Sequence, residues 1–424
     1  MTLEKVPEKV PIPPIGLTRR YPEIGTGPVS TDIYYDPAVY PKELEAIFKR
    51  SWYMIGRVDL IPDPGDFFVY ELPTFRMSVL ICRDRDGSVN GFHNICPHRG
   101  NVVEHRASGK CGGAFMCRFH GWSYDLKGKL IRLRDEEGFF DLDKSKIALS
   151  RIPTQIWQGF IFVAPVDDPS QNLEDYLGQQ GRDLIGYPWD LCSQSYHFQA
   201  EINCNWKLLV DSPAEVYHIP ILHPKSAAPT MMASGNPNGR LLDVTLKGPH
   251  RTNSHYSVQA EPNPVQKLAY RNAAAQNVVL EKTDYQMPVG LNATRSKHWS
   301  VDLVVFFPCL EFTVSAAAYT AHQVWPLGPN RSVYEQRVFV RKARNAAERF
   351  GQENTMVEYR DVVMEDLSTL ERIQRSLETG RIKQFYFHDH ELALRHQHKV
   401  VTDILADYDR EQAQAATVRK SGVG

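Results

Sequence analysis

Two short stretches constrain this chain more than anything else in it: Cys96-Pro97-His98-Arg99-Gly100 and, after sixteen intervening residues, Cys117-Arg118-Phe119-His120-Gly121-Trp122. Each places one thiolate and one imidazole two or three residues apart. On neighbouring loops they offer two sulfurs and two nitrogens to one inorganic centre. That set fits a Rieske [2Fe–2S] cluster, in which two cysteines hold one iron and two histidines hold the other. Zinc accepts the same four donors, but its pairs usually group Cys with Cys and His with His. Mixed pairs let each loop reach both irons of a two-metal cluster, and a single zinc gains nothing from that order. The expected ligands are therefore Cys96, His98, Cys117 and His120, holding one [2Fe–2S] cluster per subunit.

The texture around these loops predicts a small all-β domain. From Trp52 to about Ala164, runs such as Phe67-Phe68-Val69-Tyr70 and Met77-Ser78-Val79-Leu80-Ile81 alternate with turn signals like Asp86-Gly87. Trp157 and the run Gly159-Phe160-Ile161-Phe162-Val163 read as the closing strand. Ahead of this region, Leu44, Ile47, Phe48 and Trp52 recur at helical spacing over 41–53, and the proline-rich first thirty residues predict an extended arm. Beyond Asp167-Asp168-Pro169 comes a helical reading over 171–185. Strands at 301–307 and 332–340 follow, flanked by long helices. A chain of 424 residues outgrows a single core. The expected class is α+β, with an arm and helix at 1–51, a cluster domain at 52–165 and a larger catalytic domain at 166–424.

A second set of metal donors is legible past residue 205. Asp211, Glu215 and His218 would share one face of a helix. Pro220 would bend or end that helix and bring His223 round beside His218. Two imidazoles and one carboxylate make the facial triad of non-haem iron(II) oxygenases. The carboxylate is sought on a later helix, where Met356, Tyr359, Val363, Leu370, Ile373 and Leu377 mark a buried stripe interrupted by Asp366. A carboxylate on a core-facing stripe is expensive unless paired or bound to metal; a buried ion pair is the alternative. Its neighbour Glu365 reads as ordinary surface charge. Ser212-Pro213-Ala214-Glu215 also has the form of a capping box with proline at the first helical position, and Asp211 is a candidate partner for a histidine ligand. Tyr217 reads as a core aromatic or a group hydrogen-bonded near the iron. His388, His390, His396 and His398 read as the polar side of a helix. Met231, Met232, Leu241, Leu242, Phe306, Phe307, Phe312 and Tyr319 are candidates for an apolar pocket or for core.

Cys96 to Trp122, Asn205-Trp206-Lys207 through His223, and the Glu365-Asp366 pair together resemble the Rieske non-haem iron oxygenases, in particular their large catalytic alpha subunits of the aromatic ring-hydroxylating type. The resemblance implies a catalytic domain of the helix-grip type, one Fe(2+) per subunit held by His218, His223 and Asp366, and O2 as co-substrate. It implies that Glu215, two residues before Tyr217-His218, bridges the iron site of one subunit to a cluster histidine of the next, within a trimer. It also implies electrons from a ferredoxin or reductase; a small beta subunit is compatible with the Glu391-x-Ala393-x-x-His396 stretch. Ring hydroxylation of an aromatic compound is the expected reaction, with oxidative O- or N-demethylation as the alternative; a bare electron carrier would need only residues 52–164. The chain departs from the family at Ser212, where asparagine is frequent.

Other classes find no support. Net charge is −1 with both signs interspersed, which gives neither nucleic acid nor an anionic membrane a reason to bind. Gly25-Thr26-Gly27-Pro28 has proline where a dinucleotide-binding helix should open, so electrons are expected from another protein. No apolar run approaches the roughly 18 to 20 residues of a membrane span, and Met1-Thr2-Leu3-Glu4-Lys5 lacks a signal-peptide pattern. Seven cysteines are sparse and odd in number, so Cys82, Cys111, Cys192, Cys204 and Cys309 are expected as reduced, buried thiols in a cytoplasmic protein.

Overall fold

The computed structural model describes residues 15–232, 236–258, 263–273, 286–315 and 318–421; residues 1–14 of the expected arm lie outside that range. Ile47–Gly178 forms one compact unit, and the segments before and after it form the other.

Within Ile47–Gly178 three small antiparallel sheets surround one core. The largest orders its strands Val89–His93, Met77–Arg83, Asp66–Leu72 and Ser108–Lys110. A second joins Ala114–Met116, Ser123–Asp125 and Leu130–Arg132, and a third joins Thr154–Trp157, Phe160–Val163 and Tyr53–Arg57. Phe67, Leu80, Phe92, Phe115, Trp122 and Tyr124 pack together with Cys96 and Cys117 among them. The expected closing strand is in fact a hairpin. Gln158 and Gly159 both take positive φ, 48° and 81°, which suits a two-residue turn, so Trp157 ends one strand and Phe160 begins the next. The helix expected over 41–53 is also shorter: Val39–Ala46 is helical, a 3₁₀ turn covers Phe48–Arg50, and the chain is extended again at Tyr53. The helical reading at 171–185 shrinks to Leu173–Arg182, broken at Gly178 (φ 52°, ψ −143°).

The second unit carries a seven-stranded sheet and the helices that position the site. They are β1 (Gln194–Ile202), α1 (Trp206–Asp211), α2 (Ile219–Leu222), β2 (Asp243–Lys247), β3 (His250–Tyr256), β4 (Trp299–Phe306), β5 (Leu310–Ser315), β6 (Tyr319–Gly328), β7 (Arg331–Val340), α3 (Ala346–Glu378) and α4 (Leu392–Ser421). The sheet runs β1-β7-β6-β5-β4-β3-β2, antiparallel throughout. Its register places Arg251, Val305, Glu311, His322 and Gln336 directly opposite one another across five strands. Directly paired residues share a face, so these five form one transverse row. Met356 of α3 packs on Val338 and Val340 of β7, which lays the long helix over that same face. The two layers and the long helices make an α+β fold.

Segments far apart in sequence close this unit. The Asp389 carboxylate accepts the N–H groups of Gly16, Leu17 and Thr18 at 2.7, 2.9 and 3.0 Å, and Val29–Ser30 pairs with Gln384–Phe385. Leu241, Phe306, Phe307, Phe312 and Tyr319 are core. The C-terminal histidines are not a polar face. His390 and His396 are buried, with the Leu241 N–H on His390 Nδ1 and His396 Nε2 on the Gly248 carbonyl, while His388 caps the turn before α4. Among the described residues no helix is long and apolar enough to cross a membrane.

Candidate metal centres

The two cysteine–histidine loops fold alike. In each, the glycine four residues after the cysteine donates its N–H to the cysteine carbonyl at 2.9 Å, Gly100 to Cys96 and Gly121 to Cys117. The cysteine N–H in turn reaches the carbonyl five residues on, at Asn101 and Trp122. Both glycines have positive φ, 76° and 78°, a conformation in which a side chain is strained. This geometry turns Cys96 and Cys117 toward each other within hydrogen-bonding reach. It also sets the His98 and His120 rings 4.5 Å apart, with His98 stacked on Trp122. His98 Nδ1 is buried and without a hydrogen-bond partner, the state of an imidazole nitrogen left for a metal. The Tyr124 hydroxyl lies 3.0 Å from Cys96 Sγ, and the Asn101 amide donates to Cys117 Sγ at 3.6 Å. Burial works against the Cys117 thiolate, but the Phe119 N–H and the Asn101 amide outweigh it and hold its pKa below the ordinary thiol range. Two thiols beside two imidazoles fit a Rieske cluster.

The second centre is assembled by α1, α2 and α3. Asn205 opens α1 by accepting the Lys207 N–H, and it is anchored by Gln374 of α3 and the Pro329 carbonyl. Trp206 and Lys207 both bond to the buried Glu43. Asn205-Trp206-Lys207 therefore fixes where α1 starts. The helix stops at Asp211, and a 3₁₀ turn follows over Ser212–Ala214. Ser212 and Pro213 thus end a helix rather than open one. Asn253 of β3 holds the Ala214 carbonyl, and Glu215 leaves the turn in extended backbone. The single turn α2 comes next, with His218 as its N-cap, Pro220 in its first turn and His223 as its C-cap. Pro220 opens this helix; it does not bend one. Because Glu215 is extended, Asp211, Glu215 and His218 share no helix face. Asp211 instead accepts the Tyr34 hydroxyl and the Gln397 amide, at 2.9 Å each, in a separate buried network.

His218, His223 and Asp366 nonetheless converge. His218 Nε2 lies 3.2 Å from His223 Nε2 and 3.3 Å from Asp366 Oδ1, and His223 Nε2 lies 3.1 Å from the same oxygen. Donors at about 2.1 Å from a first-row dication are mutually about 3.0 to 3.4 Å apart in octahedral or tetrahedral geometry. The triangle matches. Each imidazole keeps its other nitrogen on a carboxylate: His218 Nδ1 on Glu215, and His223 Nδ1 on Glu365 at 2.5 Å. Burial opposes the charged form of His218, yet Asp366 and Glu215 raise its pKa to about 10. Asp366 is lowered by the same two imidazoles in spite of its burial. Three lone pairs aimed at one point, with outer carboxylates fixing both rings, suit a divalent cation better than shared protons.

Several assignments change with this geometry. Glu365 is no idle surface charge; it holds His223 and accepts the Ser226 hydroxyl. Ser212 donates to Asp366 Oδ1 at 3.2 Å. Tyr217 is 61% exposed and stacks on His388, so it is not core. Of the eight candidates for an apolar pocket, only Met231 lines the cavity that opens on the triangle. That cavity, about 850 Å³, lies between α3 and the sheet and exposes Glu311, His322, Tyr334, Gln336, Glu358 and Asp361.

A model described as the Rieske [2Fe-2S] domain matches residues 51–143, and one described as the ring hydroxylating alpha subunit (catalytic domain) matches 190–407. Choline monooxygenase of Spinacia oleracea is 29% identical over 195 residues, 45% of this chain and 44% of that protein. The glycine betaine monooxygenase oxygenase subunit of Chromohalobacter salexigens is 25% identical over 248 residues, 58% of this chain and 55% of that protein. The chain thus spans about half the length of these relatives. A solved quaternary ammonium Rieske monooxygenase superposes with a TM-score of 0.70 over 93% of this chain and 99% of that one, at 20% identity, which shows the fold. A [2Fe–2S] cluster and a mononuclear iron go with this pair of domains. With more than half of its length matched by the catalytic-domain model, the chain belongs to the ring-hydroxylating alpha subunits, the large subunits of Rieske oxygenases.

Proposed function

We propose that this chain is the terminal oxygenase of a monooxygenase that oxidises an organic cation at a C–H bond next to nitrogen, leading to oxidative N-demethylation. One observation carries the reading. The cavity is lined by six carboxyl groups, Glu215, Glu311, Glu358, Asp361, Glu365 and Asp366, against one ammonium, Lys225; burial keeps Glu311 protonated up to about 8, so near neutrality it adds no charge to the others. A dication at the triangle offsets two of those charges and leaves the lining anionic. His255 and His322, each pushed down to about 4 by burial, add no positive charge near neutrality. A cation gains from that charge, and an aromatic hydrocarbon does not feel it. The names of the choline and glycine betaine relatives support the same choice. Aromatic ring hydroxylation, the reaction expected first from the family, has no comparable support in this lining.

In this reading Cys96, His98, Cys117 and His120 hold the cluster, and His218, His223 and Asp366 hold the iron. Bound iron supplies the activation of O2. Glu215 and Glu365 fix the imidazoles, and Ser212 donates to Asp366, so the donor triangle is set before substrate arrives. The family resemblance assigns Glu215 a further role, bridging His218 to a cluster histidine of a neighbouring subunit in a trimer. The balance is one oxygen atom into the C–H bond and the other into water, with two electrons from a ferredoxin or reductase and two protons; the resulting carbinolamine loses formaldehyde.

The test uses purified holoenzyme, a surrogate reductase and a panel of N-methylated amines, methyl ethers and aromatic hydrocarbons. Formaldehyde release matched to O2 uptake with the amines is the expected result. Ring diols from the hydrocarbons, with no turnover of amines, would reverse the assignment.

A further inference from the structure

Three members of the transverse row, Glu311, His322 and Gln336, line the cavity, and two of them are incompletely partnered. Glu311 is 4% exposed and Gln336 1%. Both line the cavity, and Glu311 Oε1 and Gln336 Nε2 have no hydrogen-bond partner. Between them His322 is fully engaged, with Nε2 on the Thr320 hydroxyl at 2.6 Å and Nδ1 on the Tyr334 hydroxyl. It therefore cannot turn to satisfy either neighbour. Glu311 and Gln336 cannot satisfy each other, since they stand two strands apart, about 10 Å at the backbone. A buried carboxylate oxygen left unpaired costs more than a hydrogen bond returns. Such a cost persists in binding sites, where the missing partner belongs to a ligand.

We propose that Glu311 is the specificity-determining residue that accepts a hydrogen bond from the N–H of a protonated substrate amine, with Gln336 donating to an acceptor elsewhere on the same molecule. The inference rests on the cationic substrate proposed above and narrows it. A quaternary ammonium has no N–H and is recognised through aromatic faces. At the cavity the row offers instead a carboxyl group and an amide, and its one ring, His322, is tied at both nitrogens to hydroxyls. Substrates with at least one N–H on the charged nitrogen fit this floor. The carboxyl group needs only to turn about its last torsion, which is a soft one, to present either oxygen to the cavity.

Equilibrium dialysis of the iron-loaded, non-reduced holoenzyme against three probes of matched shape separates the possibilities. The probes are N,N-dimethylbenzylammonium, benzyltrimethylammonium and neutral isobutylbenzene. The wild type is expected to bind the tertiary ammonium about tenfold more tightly than either of the others, and Glu311→Gln to bring all three within about threefold. Glu311→Asp, which keeps the charge one methylene further back, should retain the preference at lower affinity; it also answers for any folding defect in Glu311→Gln. A preference that survives in a folded Glu311→Gln protein overturns the role of Glu311 and leaves the cationic reading standing, as does equal binding of the tertiary and quaternary probes by the wild type. Absence of any preference for cations over isobutylbenzene removes both.

Discussion

Asp366 Oδ1 is the most heavily used atom at the proposed iron site, approached by His218, His223 and Ser212. Asp366→Ala should abolish mononuclear iron and turnover while the visible spectrum of the cluster stays unchanged, as metal analysis beside spectroscopy would show. Glu365→Gln should be milder. The amide keeps a contact to His223 but not the charge that raises its basicity, so iron affinity should fall roughly 10- to 100-fold in chelator competition. Glu215 combines two roles, because its carboxylate also accepts the Tyr217 and His218 N–H groups. Glu215→Gln should cost about 0.5 to 2 kcal/mol of stability as a cap; normal cluster reoxidation in single-turnover stopped flow would remove its proposed bridging role. Glu311 gives a pH signature. Burial holds its pKa up at about 8, with Arg251 opposing and Asp366 reinforcing that shift. Between its unfolded value and about 8 the folded state keeps a proton that the unfolded state releases, so this group's contribution to stability falls as pH rises. In metal-free protein the melting temperature of Glu311→Gln relative to wild type should therefore climb from about pH 5 to about pH 8 and then level off. A difference that stays flat would mean that Glu311 is ionised throughout. His218, His223 and Asp366, which the structure brings together, were each legible in sequence, because donor type and an interrupted apolar stripe are local signals. Sequence reasoning passed over Glu365, whose partner His223 lies 142 residues away; a rule that every histidine ligand needs a carboxylate behind it would have pointed there.

At the scale of elements, short-range chemistry was legible and register was not. The glycines of the two cluster loops follow from the left-handed backbone they need, and the turn at Gly128 adds a packing demand. A Cβ on Gly128 would lie 2.5 Å from the Phe92 ring at φ 84°, whereas one on Gly100 meets nothing within 4 Å. Gly100→Ala should therefore cost only the backbone strain, about 1 to 2 kcal/mol. Gly128→Ala should cost distinctly more, a ranking that denaturant titration of the two variants would check. The stripe on α3 shows the limit of counting. It was expected to run through Ile373, yet Gln374 is the buried residue, holding the Asn205 N–H and the Tyr34 carbonyl, and Ile373 is 39% exposed. A helix that buries polar anchors breaks the apolar rule by which its buried face is sought. The transverse row was hidden for a related reason. Glu311, His322 and Gln336 become neighbours only through strand register, and nothing near each of them in sequence marks the pairing.

For the whole molecule, the segment Ile47–Gly178 contains all four proposed cluster ligands and its own core. Expressed alone, it should fold with two irons and a Rieske spectrum, while the full chain should carry three; iron analysis of both proteins would decide. The α+β class and the all-β texture of the cluster region could be read from pattern, but the way the unit around the iron site is closed could not. Gly16 and its acceptor Asp389 are separated by 373 positions, a pairing that no local signal announces. That clasp has a consequence for biogenesis. At roughly 5 to 20 residues per second, Asp389 leaves the ribosome on the order of twenty to seventy seconds after Gly16. During that interval the contiguous stretch Ile47–Gly178 can gather its core, while the N–H groups of Gly16, Leu17 and Thr18 wait for their carboxylate. The first described residues to be translated thus receive this anchor late, and a ribosome stalled short of residue 389 would leave the Gly16–Thr18 turn without it and open to proteases.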